Sequence, residues 1–242
     1  MSTFPPYFLF SLRFEAKKVP TGKVKLTPEY LGEKYEFPAL WEFTPQAATS
    51  DRKLSSADSE SNRGAGKKVG QPEFHFRMGW REDGLFLTVL LAGKKFPVQV
   101  NPRKLEASDS FSFMLDTRDV RIIHRATKFC HRFLLTPADP RHSNQATRPS
   151  VVWLPIHRAK AHPNPVDTSR FEIACDTQPG GWSLSLFMPG DTLTGYDPKE
   201  YSRIGVGFIL FDNEFGSISQ QLPDDFPVME DPSLWAAVDL IE

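Results

Sequence analysis

The sequence has few cysteines, no long apolar run and almost no net charge, and each shortage excludes a class of protein. Two cysteines among 242 residues are too few for a disulfide framework. A net charge of −1 gives no reason to expect a nucleic acid or an anionic membrane as partner. No apolar segment approaches the ~20 residues that a membrane helix needs. We therefore expect neither nucleic-acid binding nor membrane insertion.

The cysteines and the N-terminal residues are the features of the sequence that indicate a cellular compartment. Cys130 and Cys175 each lie in a predicted strand, so two buried thiols are expected, and one disulfide stays open if those strands are neighbours. Residues 1–18 lack a basic start, and Arg13 and Glu15 interrupt the apolar run. No signal peptide is therefore predicted, and the cytoplasm is the default localisation.

Motifs for catalysis are also missing. The sequence contains no nucleophile elbow, P-loop, dinucleotide fingerprint or metalloprotease helix. His124, Cys130 and His131 raise the question of a metal site, but the two histidines are seven residues apart and no Cys-x-x-Cys supports them. Acidic pairs such as Asp224–Asp225 are typical of turns. A protein without catalysis and without a metal site is favoured, and no cofactor is assigned.

What the sequence does have is aromatic residues in alternating patterns, together with many prolines. Twenty Phe and 21 Pro indicate a core of sheet contacts and numerous turns. Period-2 alternation predicts roughly nine strands, and a further strand at 151–156 stays open. The predicted strands are residues 7–14, 73–80, 85–91, 111–116, 129–134, 170–176, 182–188, 203–211 and 234–240. Hairpin turns and the scarcity of helical patterns predict an all-β fold, an antiparallel β-sandwich with long loops.

Two long segments interrupt this pattern within one predicted domain of residues 1–242. Residues 44–71 are rich in Ser, Ala, Gly and Lys, so they cannot offset the entropy of ordering and are predicted to form a flexible insertion. Residues 137–169 form a Pro-rich loop whose prolines oppose regular structure through most of its length.

The order of motifs resembles a known family. The first motif is Trp80, followed by an Arg-Glu-Asp-Gly turn and an apolar strand. The second motif runs from Asp109 to Arg118 and has the form Asp-Ser, four further residues, then Leu-Asp-x-Arg. A strand then runs into Pro189, and a Gly-containing strand ends at Asp212. This succession resembles the family 9 carbohydrate-binding modules and their DOMON-like relatives. The resemblance implies a β-sandwich that holds the end of a sugar chain between two tryptophans, helped by polar side chains.

Matching the family pattern residue by residue gives a candidate ligand site. Trp80 and Arg118 take the positions of binding residues, while the second aromatic stays open between Trp153 and Trp182. Indole faces pack on pyranose rings, but a tryptophan at a strand end is also typical of a core. Hydrogen bonds to sugar hydroxyls are expected from Asp212, Asn213, Glu214 and Gln220, which would otherwise cap a turn. Arg118 has its own alternative, a surface ion pair with Asp116 or Asp119.

Two further functions remain open beside carbohydrate binding. One is a protein-interaction module with the same fold and no sugar site. The other is a DOMON-type haem or redox domain, which needs a Met and a His facing each other across the sandwich. The residues available for such a pair are Met78, Met114 and Met188 with His75 or His131.

Overall fold

The computed structural model describes residues 13–23, 25–38, 43–44, 72–101, 103–120, 124–139, 148–219 and 226–242. Within these ranges there are twelve β-strands, five short 3-10 helices and no α-helix. The strands are β1 (Arg13–Lys18), β2 (Phe43–Thr44), β3 (Glu73–Arg81), β4 (Gly84–Ala92), β5 (Ser110–Asp116), β6 (Cys130–Thr136), β7 (Ser150–Leu154), β8 (Glu172–Gln178), β9 (Gly181–Pro189), β10 (Arg203–Asp212), β11 (Gly216–Ser219) and β12 (Ala236–Ile241). The 3-10 helices are Glu33–Tyr35, Leu105–Ala107, Thr168–Arg170, Gly190–Thr192 and Pro232–Leu234.

The strands form one continuous sheet in the order β7-β6-β5-β10-β12-β1-β3-β4-β9-β8, with β11 and β2 branching from β10. All pairs are antiparallel except those of β1, which pairs in parallel with both β12 and β3. β1 therefore joins two antiparallel halves, β5–β7 with β10 and β12 on one side, and β3, β4, β8 and β9 on the other. The halves fold onto each other, so the antiparallel β-sandwich predicted from the sequence is confirmed.

Aromatic side chains fill the space between the two halves. Phe76 of β3 is fully buried and lies 5.4 Å from Phe111, 6.3 Å from Phe113 and 5.0 Å from Phe208, measured between ring centroids. These three partners belong to the opposite half, on β5 and β10. Tilted and offset ring pairs at such distances each add about 0.5–1.5 kcal/mol beyond simple burial. The period-2 placement of phenylalanine is thus what holds the halves together.

The hairpin of β3 and β4 has the predicted form. Trp80 pairs with Leu85 and Phe74 with Leu91, so the two strands are adjacent and antiparallel. The further strand left open at 151–156 exists as β7, Ser150–Leu154, inside the predicted Pro-rich loop. Both cysteines are free thiols, Cys130 on β6 and Cys175 on β8.

The first predicted strand lies mostly outside the described residues. Of the strand predicted at 7–14, only Arg13 and Phe14 are described, and both belong to β1, which continues to Lys18. Its buried residues are Phe14 and Ala16, while Arg13, Glu15 and Lys17 are exposed. Local alternation agrees with this strand, but it gives no sign that the strand pairs in parallel with two distant strands.

Strand β10 contains two glycines, Gly205 and Gly207. A Cβ placed on Gly207 would lie 2.6 Å from the ring of Trp235. The approaching group is therefore the indole of the segment before β12, whose N–H donates to the carbonyl of Val228 at 2.7 Å. Glycine here lets a bulky side chain pack directly on a strand backbone.

Other sequence predictions fall outside the described residues. The proposed flexible insertion at 44–71 lies there except for Thr44, which ends β2. Gln220 and the Asp224–Asp225 pair also lie there. Within the described ranges, no helix has the length and apolar character needed to cross a membrane.

The aromatic contact between the halves makes a matched prediction about stability. Phe76→Ala should lower the free energy of unfolding by about 3–5 kcal/mol, because it leaves a cavity where three rings from the other half meet. Phe96 is 62% exposed, so Phe96→Ala should change it by less than about 0.5 kcal/mol. Urea unfolding followed by tryptophan fluorescence measures both, and equal losses in the two variants would contradict this packing.

Candidate functional site

The structure separates the sequence-predicted site residues to different parts of the sandwich. β5 runs antiparallel to β10, with Asp116 opposite Gly205 and Ser110 opposite Phe211. Arg118, which follows β5, therefore lies at one end of this strand pair, and Asp212 lies at the other. Six residues of extended chain place these ends about 20 Å apart. Trp80, at the end of the co-directional strand β3, is at the same end as Arg118.

The turn after β5 fixes the backbone around Arg118. The carboxylate of Asp116 accepts the N–H of Arg118 at 3.0 Å and that of Val120 at 2.8 Å. The hydroxyl of Thr117 donates to the carbonyl of Thr194 at 2.8 Å. Burial raises the pKa of Asp116, and the two N–H donors oppose this shift. Asp116 therefore shapes the turn through the backbone, and its carboxylate makes no ion pair with the Arg118 guanidinium in the described structure.

The Arg118 side chain lies on aromatic rings. Its guanidinium carbon is 3.4 Å from the centroid of Tyr201 and 5.1 Å from that of Phe129. The Nε atom is buried and has no hydrogen-bond partner among the described residues. Arg118, Tyr201 and Phe129 are all half-buried. A flat cation held on rings, with unused donors, is the arrangement that recognises hydroxyl or carboxylate oxygens. We call these three residues the Arg118 rim.

Trp80 is enclosed by its own protein. It is 6% exposed, and its indole N–H donates to the carbonyl of Ile241 at 2.8 Å. The ammonium of Lys18 lies 5.1 Å from the indole ring. Lys18 also pairs with Glu242 at 2.9 Å. The role of Trp80 in ligand binding stays a prediction, and in this structure the ring packs β3 against β12.

The two alternatives for the second aromatic also point inward. Trp182 is 4% exposed and belongs to the main core, while Trp153 is half-buried and packs against that core. Each indole N–H is buried without a hydrogen-bond partner among the described residues. Trp153 is opposite Phe133 in the β6–β7 pair, and Trp182 is opposite Leu91 in the β4–β9 pair. The structure does not bring either tryptophan to the Arg118 rim.

Asp212, Asn213 and Glu214 form the turn between β10 and β11. Asp212 accepts the N–H groups of Glu214 and Phe215 at 2.9 and 3.0 Å. Asn213 donates from its backbone and its side chain to Asp109, both at 2.7 Å. Glu214 accepts the N–H of Lys95 at 2.9 Å. The turn-capping alternative therefore describes their geometry here, while their role toward a ligand stays a prediction.

A lysine that the sequence did not single out completes this turn. Lys94 forms an ion pair with Asp212, and its ammonium is 3.4 Å from the carboxylate of Asp109. The Lys94 side chain is 1% exposed and both carboxylates are fully buried. Burial and the neighbouring Asp109 charge raise the pKa of Asp212, against the effect of Lys94. The Lys94 ammonium thus supplies the positive charge beside two buried carboxylates.

The residues considered for haem or metal binding are dispersed. Met78 and Met188 belong to the main core, whereas Met114 packs in a separate cluster with Cys130 and Trp235. His75 is on the outer surface, between the carboxylates of Glu36 and Glu73. Among the described residues, no group of three or more His, Cys, Asp or Glu is arranged to hold a metal ion.

His131 is a buried histidine at the same end as the Arg118 rim. Its ring stacks on Phe133 with centroids 5.9 Å apart, and Nε2 lies 3.5 Å from the carbonyl oxygen of Thr194. The Nδ1 atom is buried without a partner among the described residues. Burial lowers the pKa of His131 to about 4. The imidazole is therefore neutral at physiological pH.

The curled, twelve-stranded sheet defines a β-sandwich of the carbohydrate-binding-module type. Solved structures with this fold include two of family 9 carbohydrate-binding modules from Caldicellulosiruptor kristjanssonii, one in complex with cellotriose and one with glucose. The first has a TM-score of 0.59 and 12% sequence identity, covering 95% of this chain and 93% of that one. The second has a TM-score of 0.58 and 12% identity, covering 94% and 95%. Neither a protein-family model nor a curated protein matches the sequence. The family 9 resemblance is thus confirmed for the fold.

Sequence reasoning missed the partners of the residues it selected. Tyr201 is 83 positions from Arg118, and Lys94 is 118 positions from Asp212. Nothing in the local alternation of a single sequence signals such contacts. The one available sign was Lys94 itself, a charged residue two positions after the largely apolar strand β4.

The buried ion pair predicts a large difference between two neighbouring lysines. Lys94→Met should lower the free energy of unfolding by about 3–5 kcal/mol at neutral pH, because it leaves two buried carboxylates without a cation. Lys95 is exposed and its side chain makes no ion pair in the described structure, so Lys95→Met should change it by less than about 0.5 kcal/mol. Urea unfolding at pH 7 measures both variants. An unchanged free energy of unfolding in Lys94→Met would contradict the claim that the buried carboxylates require the Lys94 charge.

Burial of His131 predicts a loss of stability in acid. The ordinary pKa is 6.5 and the folded value is about 4, so between these pH values only the unfolded state takes up the proton. Stability should therefore fall as the pH is lowered from 6.5 to 4, by about 3 kcal/mol from this group. His131→Gln should flatten the pH profile by that amount. His162→Gln, at an exposed position, serves as control. Identical profiles for both variants would show that His131 does not titrate differently on folding.

Proposed function

We propose that this chain is a non-catalytic carbohydrate-binding protein whose sugar site is the Arg118 rim. The observation that carries the proposal is the guanidinium of Arg118, 3.4 Å from the Tyr201 centroid with its buried Nε lacking an acceptor. A sugar presents hydroxyl oxygens that accept such donors, and apolar C–H faces that pack on aromatic rings. In this proposal the rim would supply both kinds of contact.

The unpaired Nε–H supports a ligand at this position, which would reach this buried atom through a shift of the Arg118 side chain. A buried N–H without a partner costs about 1–3 kcal/mol, and that cost is recovered when an oxygen accepts the bond. Stacking on Tyr201 and Phe129 restricts the guanidinium before a ligand arrives. Less rotational freedom is therefore lost on binding. The hydrogen bond from the Arg118 N–H to the Asp116 carboxylate also fixes the backbone that carries the guanidinium.

The fold likeness supports the same class of ligand. The similar structures were solved with cellotriose and with glucose. In this proposal Tyr201 and Phe129 supply the aromatic surface for which the sequence alone indicated tryptophans. Trp80 contributes by packing the same end of the sandwich, since its ring is enclosed.

Titration with cellotriose and glucose tests the proposal. Following tryptophan fluorescence or heat of binding, the parent should bind one of these sugars, and Arg118→Ala should weaken binding by about 1.5–3 kcal/mol, roughly 10- to 150-fold. Arg118→Lys keeps the charge but loses the planar fork and should also weaken binding. Tyr201→Leu should reduce affinity by removing the ring.

Arg103→Ala provides the matched control, because Arg103 is exposed and its side chain makes no hydrogen bond in the described structure. It should bind like the parent. Circular dichroism and urea unfolding establish that all variants are folded. If Arg118→Ala binds as well as Arg103→Ala, the site lies elsewhere. If the parent binds neither sugar and no glycan on an array, carbohydrate binding is wrong and an interaction module is favoured.

A further inference from the structure

A second surface, far from the Arg118 rim, has the form of a ligand site. On the outer face of β3, β4, β9 and β8 lies a cleft of about 700 Å³. This volume is within the range of small-molecule sites, roughly 300–1,000 Å³. None of the residues of the Arg118 rim lines it.

The cleft exists because residues 25–37 cover only part of this face. The N–H of Tyr30 donates to Ser185 at 3.1 Å, and that of Leu31 donates to Thr88 at 3.2 Å. Arg77 reaches the carbonyl of Leu31 at 3.0 Å and pairs with Glu36 at 2.6 Å. These bonds hold the segment over the row that contains Thr88 and Ser185, and they leave the next row toward the start of β3 open.

One open row crosses all four strands. His75 pairs with Leu90, Leu90 with Ser183, and Ser183 with Asp176. With strands about 4.8 Å apart, the row is about 14 Å long. Its two inner members are an apolar side chain and a hydroxyl, and its outer members are ionisable.

The middle of the row contains an unused polar group. Ser183 is 7% exposed, and its hydroxyl has no hydrogen-bond partner among the described residues. Its neighbours Trp182 and Leu184 belong to the core, so by strand alternation Ser183 faces the cleft. A nearly buried hydroxyl that lines an open cleft without a partner is available to a ligand.

The charge of the cleft is negative and concentrated at its two ends. At the β8 end is Asp176, whose carboxylate accepts from Gln178 at 2.6 Å. The opposite end carries four glutamates, at positions 29, 33, 36 and 73. Against these five carboxylates stand Arg77 and His75, so the net charge is at least −3. Glu29 and Glu33 are exposed and make no ion pair in the described structure.

The protonation state of His75 does not change the sign of the net charge of the cleft. Its two ring nitrogens each lie 2.9 Å from a carboxylate, Glu36 and Glu73, and a neutral imidazole can donate only one such bond. Burial lowers the pKa of His75, but hydrogen bonds to Glu73 and Glu36 outweigh it and raise the value above the ordinary one. In either protonation state its partners are Glu36 and Glu73, so Glu29, Glu33 and Asp176 are left without a cation from His75.

We propose that this cleft binds a linear organic dication, with ammonium groups at the ends of an apolar chain, as in an aliphatic diamine or polyamine. One ammonium contacts Asp176 and Ser183, the chain lies over Leu90, and the other ammonium contacts the glutamates at the β3 end. The separation of the carboxylates across an apolar row favours this shape over a compact cation. No three ligands in the described structure are arranged for a metal ion.

Calorimetric titration at pH 7.5 and low salt tests the inference with three probes. The parent should bind 1,6-diaminohexane with one site per chain. It should bind 1,3-diaminopropane, which has the same charge on a shorter chain, at least tenfold more weakly. Hexane-1,6-diol, which has the length without the charge, should not bind. Affinity for the long diamine should fall as salt is added, since an open cleft is screened.

A pair of double variants locates the site. Glu33→Gln with Asp176→Asn removes one carboxylate from each end and should weaken binding of 1,6-diaminohexane at least tenfold. Glu15→Gln with Glu172→Gln makes the same change of charge at exposed positions outside the cleft and should leave binding unchanged. Equal effects of the two pairs would reduce the interaction to general charge attraction and overturn the inference. So would absence of binding by the parent, or equal binding of the diol.

Discussion

The structure depends on the double parallel pairing of β1, which joins two antiparallel halves into one sheet. Phe14 lies beside Val238 on one side, and Lys18 pairs with Trp80 on the other. Because one strand belongs to both halves, their inner faces are brought together without a separate connection. Phenylalanines from β3, β5 and β10 then fill the space. Twist of the strands supplies the curvature that this closure requires.

The strand directions also determine which side chains lie at each end of the sandwich. The ends of β3 and β5 share one side, where Arg118, Tyr201 and the buried His131 are found. The opposite end is closed by Lys94 between two aspartates, which ties the turn after β10 to the segment after β4. The outer face of β3, β4, β8 and β9 carries the acidic cleft. A cationic rim with aromatic rings and an anionic cleft lined by Leu90 would suit different ligands, so the two proposals can succeed or fail separately.

Much of the fold could be predicted from local sequence, and most of the site could not. Alternation in Phe74 to Trp80 gave the β3–β4 hairpin because side chains on a half-buried strand must alternate. The parallel pairing of β1 depends on residues more than 60 positions away, so local alternation could not indicate its partners. Arg118 was selected by a motif, yet its stacking on Tyr201 arises from the loop before β10. The interpretation of Trp80 as a candidate ligand residue could not anticipate that its indole N–H donates to the carbonyl of Ile241, a partner at the far end of the chain.

The most direct test of the central claim observes the Arg118 Nε–H group itself. In protein labelled with ¹⁵N-arginine, this signal can be assigned by its loss in Arg118→Lys, and cellotriose can then be added in steps. Sugar binding at the rim predicts a saturable shift of the Nε–H resonance, because a hydroxyl oxygen becomes its acceptor. An unchanged Arg118 signal, at cellotriose concentrations that shift other resonances of the protein, would contradict the account.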